Sequence, residues 1–114
     1  MRFESEVVSE DLLPAVRSVI ARTLSEDYGL NQHEIAKLLE VTQPAVSQYL
    51  NKKRADQKIV NRLVDDPQTG ILLNDAADKA AKNKDYTEEL SSIVSTVRDK
   101  GMMKEHFSEA ERII

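Results

Sequence analysis

The sequence predicts an all-α protein. Only three glycines and three prolines interrupt its 114 residues, at positions 29, 70 and 101 and at 14, 44 and 67. Between these breakers the apolar residues recur at three- and four-residue spacing, and cap or stop residues stand at the ends of most of the periodic runs.

The elements follow in order. Leu12, Val16, Val19, Ile20 and Leu24 make one stripe of a first helix. Ser9 or Asp11 is available as its N-cap, Pro14 falls near its first turn, where a missing N–H costs least, and Gly29 is placed to end it. Two short helices come next, between residues 31 and 51. A fourth helix carries Ile59, Val60, Leu63 and Val64 and stops before Pro67, because the residue ahead of a proline is pushed out of the α region. A fifth runs from about Ile71 to Ala81, and its Leu72, Leu73, Ala76, Ala77, Ala80 and Ala81 suit close approach to another helix. Thr87 reads as the N-cap of a sixth, with Leu90, Ile93, Val94 and Val97 as its apolar stripe and Gly101 as its stop. Met103, Phe107, Ala110 and Ile114 repeat the pattern in the tail. Composition shifts near Pro67, so residues 1–66 read as one unit and 67–114 as a helical extension.

Composition excludes several functions. The length and the 40% hydrophobic content suit one domain with a small core, with no room for a second, catalytic one. Sixteen basic against twenty acidic residues give a charge of −4, so any contact with nucleic acid must come from local charge. With no cysteine there is no disulfide framework, thiolate zinc site, cysteine-ligated cluster or cysteine nucleophile. No run approaches the roughly 20 apolar residues of a membrane span. Glu4, Glu6, Glu10 and Asp11 stand where a signal peptide would be basic and then apolar. A soluble, cytoplasmic protein without membrane contact is expected.

The most informative segment is NQHEIAKLLEVTQPAVSQYLNKKR, residues 31–54. Asn31 can cap a helix and Glu34 can reach back to its backbone N–H, a capping box. Ile35, Leu38 and Leu39 form that helix's apolar face, and Ala36 sits where a crossing helix would meet it. Glu40 and Val41 form a short turn with Val41 plugging the corner. Thr42 caps a second helix with Pro44 in its first turn. Val46, Tyr49 and Leu50 then face inward, which leaves Gln43, Ser47, Gln48 and Asn51 outward, uncharged hydrogen-bonding groups of a size suited to base edges.

This pattern resembles the helix-turn-helix family of the lambda repressor and Cro type. The likeness covers roughly residues 12–64 and rests on Gln32, Ala36, Val41, Val46 and Ser47, supported by Ile35 and Leu39. Glu40 departs from it, since the family has a glycine of positive φ entering the turn, and Tyr49 is bulkier than the usual aliphatic residue. The stretch from Leu12 to Arg54 is similar, more narrowly, to archaeal predicted transcriptional regulators in which such text precedes a helical extension. Flanking cysteines occur in some members and not here, so no metal or cluster function carries over.

The resemblance implies binding to double-stranded DNA. The second helix would be the recognition helix, with Thr42, Gln43, Pro44, Ser47, Gln48 and Asn51 at the groove. Gln43 and Gln48 could each pair bidentately with adenine. Gln32 would touch the backbone and brace Gln43, and Lys52, Lys53 and Arg54 would lie at phosphates. Charge agrees: residues 31–63 hold six basic and three acidic side chains, a local +3 within a chain whose remainder carries −7. The stripe Leu90, Ile93, Val94, Val97 has two readings, closing the monomer's core or pairing with its symmetry mate in a homodimer, and the second is favoured because dimers double contacts on a palindromic site.

Other chemistry is set aside. His33–Glu34 resembles the start of a zinc-protease helix, but Lys37 stands where the second histidine belongs. His106 with Glu105, Glu109 and Glu111 reads as surface. No glycine-rich phosphate loop or nucleophile elbow is visible, so neither cofactor nor catalysis is expected. Two alternatives remain: an antitoxin-like autoregulator whose C-terminal helices hold a partner protein, and a scaffold module that binds protein and not DNA.

Overall fold

The computed structural model describes residues 2–108, 110 and 111. Helix begins earlier than the apolar stripe suggests. Phe3 precedes α1 (Glu4–Val7), and its N–H donates to Glu6 Oε1 at 3.1 Å. The chain continues through one wide π-turn (Val8–Leu12) into α2 (Leu13–Glu26). Ser9 and Asp11 therefore lie inside helix and cap nothing. Pro14 accounts for the wide turn: it offers no N–H and its ring would strike the carbonyl of Glu10 in a regular helix. The Leu13 N–H accordingly reaches five residues back, to the carbonyl of Val8. Beyond α2, Gly29 adopts φ +66° and lets the Leu30 N–H return to the Leu24 carbonyl at 3.1 Å.

Helix α2 is the central post. Against it pack α3 (Gln32–Leu39), α4 (Gln43–Leu50), α5 (Gln57–Asp65) and α6 (Pro67–Ala81), while α7 (Thr87–Asp99) packs on α6. Ala15, Val16, Ile20, Ala21 and Leu24 of α2 join one apolar core that extends from Val7 to Met103 and draws on both halves of the sequence. Of the alanines of α6, Ala76, Ala77 and Ala80 are buried in it and Ala81 is half-buried against it.

Several boundaries differ from expectation for local reasons. Asp66 ends α5 and caps α6: its carboxylate accepts the Thr69 N–H at 2.9 Å, while Thr69 Oγ1 donates to the Leu63 carbonyl at 2.6 Å. Helix α6 thus starts at Pro67, ahead of Ile71, and Gly70 is a residue of that helix and no breaker. Val64 faces outward, 53% exposed, as does Ile71 in the next helix at 63%. Thr87 is the first residue of α7 and not its cap: Tyr86 holds the cap position, and Asp85 ahead of it accepts the Thr87 N–H at 3.0 Å and its hydroxyl at 2.6 Å.

The tail departs most. After α8 (Lys104–Ser108), β2 (Ala110–Glu111) pairs in parallel with β1 (Arg2–Phe3), so Ala110 belongs to no helical stripe. Met103 is buried and Phe107 half-buried; Ile114 and Glu109 lie outside the described residues. His106 Nδ1 sits 3.0 Å from Asp11 Oδ2, on a carboxylate that also receives Arg2.

The stripe favoured for pairing with a second copy faces the monomer's own core. Ile93 and Val97 expose no surface, and Leu90 and Val94 are half-buried against the same cluster. Among the described residues no helix is long and apolar enough to cross a membrane.

Candidate nucleic-acid interface

Helix α3 starts as its sequence dictates. Asn31 Oδ1 accepts the Glu34 N–H at 2.8 Å, and Glu34 Oε1 accepts the Asn31 N–H at 3.1 Å, so both arms of the capping box are made. Ile35, Ala36 and Leu39 are buried and Leu38 half-buried. The helix closes with two bonds of a Schellman motif, Glu40 N–H to the Lys37 carbonyl at 3.4 Å and Val41 N–H to the Ala36 carbonyl at 3.0 Å. That motif demands a left-handed residue between them, and Glu40 takes it, at φ +56°. Val41 then packs on the edge of the core.

Thr42 Oγ1 accepts the Ala45 N–H at 3.2 Å and starts α4, with Pro44 in the first turn. Ala45, Val46 and Tyr49 face the core. One anchor was not foreseen: Ser18, fully buried on α2, donates its hydroxyl to the Tyr49 carbonyl at 3.1 Å. The bond links residues 31 positions apart and fixes the far end of α4 on the central post. A second Schellman closure follows, Lys53 N–H to the Gln48 carbonyl at 2.9 Å, with Lys52 left-handed at φ +61°.

The sequence-predicted contact residues are brought together on one surface. Thr42, Gln43, Pro44, Gln48 and Asn51 are exposed and Ser47 is half-buried. Gln32, at the start of α3, shares a shallow depression with Gln43, Pro44 and Ser47. Among the described residues no hydrogen bond joins Gln32 to Gln43, so the expected brace is proximity alone. Asn51 Nδ2 donates to Ser47 Oγ at 3.4 Å. Lys52, Lys53 and Arg54 are exposed just beyond. Arg54 folds back: its Nη1 donates to Gln48 Oε1 at 2.8 Å, and its guanidinium carbon lies 5.6 Å from the centre of the Tyr49 ring.

Ion pairs are unevenly placed along the chain. Every ion pair among the described residues lies outside residues 31–58. Elsewhere several cations are matched, Arg2 with Asp11, Lys79 with Glu89, Lys100 with Asp66 and Arg98 with Glu4, while Arg17, Arg22, Lys84 and Lys104 enter no ion pair among the described residues. The Arg2 hydrogen bond holds the Asp11 carboxyl below its ordinary range. The Thr69 N–H, helped by Lys100, does so for Asp66, and Lys79 does so for Glu89. Arg62, at the edge of the basic segment, is taken up by Glu105 and the Met102 carbonyl. Within 31–58, Glu34 and Asp56 hold helix starts and not cations.

The surface therefore offers amide and hydroxyl groups along one helix, flanked by ammonium and guanidinium groups without carboxylate partners. Such a face is complementary to a polyanion that presents hydrogen-bonding edges between its charges. No protein-family model, curated protein or solved structure matches the chain.

Proposed function

We propose that the chain is a sequence-specific DNA-binding regulator of the lambda repressor and Cro type, with α4 in the major groove. The observation that carries this reading is the joint arrangement of α4's outer face and the unmatched cations that follow it. Gln43 and Ser47, in the first two turns, reach base edges. Lys52 and Lys53 lie at the phosphates beyond, and Gln32 approaches the backbone from the start of α3. The protein acts by occupancy, without catalysis. A homodimer on a two-fold site doubles these contacts, through a surface other than Ile93 and Val97.

Selection of the full chain against a random duplex pool, followed by salt titration of the enriched site, tests the reading. Affinity falls steeply with salt as counterions are released. Gln43→Ala loses about 1–3 kcal/mol on the enriched site and little on random duplex. Lys52→Ala weakens both alike and lowers the salt slope by about 0.9. Equal loss for Gln43→Ala on both duplexes would remove α4 from the groove, and no duplex binding at about 0.1 M salt would leave the scaffold alternative.

A further inference from the structure

The bond between Arg54 and Gln48 bears on which base is read. It rests on the reading of α4 as the groove helix. A guanidinium only donates, so the Gln48 atom that faces Arg54 Nη1 at 2.8 Å must be the amide oxygen. The amide nitrogen, a donor, is then the atom left to point elsewhere. Arg54 is held at a second point by the Tyr49 ring, and Tyr49 is itself 3% exposed and fixed through its carbonyl to Ser18.

Pairing of Gln48 with adenine requires its oxygen to accept from the N6 amino group while its nitrogen donates to N7. Here the oxygen already accepts from Arg54, so an adenine amino group would have to share it with a positively charged donor. Guanine presents two acceptors, O6 and N7, at the same place and no donor. We infer that Arg54 and Gln48 act as one donor-only pair that reads guanine, and that Arg54 determines the choice between purines at that position. This replaces adenine, the base expected for Gln48 from its side chain alone.

The experiment is selection from a random duplex pool with the full-length protein as wild type, Gln48→Ala and Arg54→Met. Both positions are exposed, and Met keeps an apolar stem over Tyr49. Thermal midpoints within a few degrees of wild type establish that the variants are folded. Gln48→Ala flattens the preference at one base pair, where the wild type favours guanine over adenine about tenfold or more. 7-Deazaguanine at that position weakens wild-type binding. Arg54→Met frees the oxygen of Gln48 and moves the preference there toward adenine. A wild-type preference for adenine at that position overturns the inference and leaves the DNA reading standing. So does an Arg54→Met protein that loses affinity for all duplexes equally with its preference unchanged, or a Gln48→Ala protein whose preferences match wild type throughout. A wild-type protein that enriches no duplex overturns the DNA reading and this inference with it.

Discussion

Among the described residues four helices close with the same pair of backbone hydrogen bonds, and the residue each places in the left-handed region differs between front and rear. At the front, α3 turns on Glu40 and α4 on Lys52; at the rear, α6 turns on Asn83 and α7 on Gly101. Glycine has no Cβ to clash there and asparagine tolerates the region, whereas glutamate and lysine are held at a cost of about 1 kcal/mol each. Ion pairs lie on the rear side only, although Lys84 and Lys104 there enter none among the described residues. The rear matches Lys79 with Glu89 and Lys100 with Asp66, while Lys52 and Lys53 have no such neighbour. The rear is composed for stability, and the front keeps side chains that stability alone would not select.

The contrast can be broken most forcefully at the rear. Ile93→Ala opens a cavity where no surface is exposed and lowers stability by about 2–5 kcal/mol, seen as a lower urea midpoint with unchanged slope. A midpoint that climbs with protein concentration would instead place Ile93 between copies. Next in size are the turns: Glu40→Gly and Lys52→Gly each raise stability by about 1 kcal/mol, and Asn83→Gly by a few tenths. If α4 docks on DNA as proposed, Lys52→Gly also removes a cation and weakens every duplex, so stability and affinity move in opposite directions at that residue. Equal gains at all three turns would abolish the distinction between the regions.

Acid gives the smallest effect. Asp11, Asp66 and Glu89 have folded-state pKa values below their unfolded ones, so they stabilise the fold above the ordinary carboxylate range of about 4 and lose that contribution as pH falls through their lowered values. The thermal midpoint therefore drops between about pH 5 and pH 2, modestly because the cation in each pair is more than a third exposed to solvent. Lys79→Met reduces that drop, and an unchanged acid profile for Lys79→Met would show that its pair with Glu89 contributes nothing.

What was legible in the sequence was local. The capping box of Asn31 and Glu34, the cap at Thr42, the left-handed Glu40 and the outward side chains of α4 each depend on residues within four or five positions. What was not legible depends on partners distant in sequence or on competing local signals. The amphipathic stripe of α7 states that Ile93 and Val97 are buried but not against what, and the answer is the monomer. The Ser18 bond to Tyr49 joins two helices, and nothing in a serine among apolar residues reveals its acceptor. Two-residue strands that meet across the whole chain leave no periodicity to read. Gly70 and Thr87 lie inside their helices because Asp66 caps α6 and Asp85 accepts from the first residue of α7, local signals that compete with glycine and threonine.

The π-turn at Val8–Leu12 has a consequence for insertions and deletions. Val7 and Leu12 are both fully buried although five residues apart; in a regular helix they would stand roughly 140° from each other. The wide turn absorbs one surplus residue, so that the side chains ahead of it keep facing inward. Loss of the codon for Ser9, accompanied by replacement of Pro14, would leave a shorter uniform helix with the same residues inside. Loss of one codon anywhere in α2 would instead rotate everything before it by roughly 100° and take Val7 out of the core. The first helix thus tolerates a change of length at one place along it.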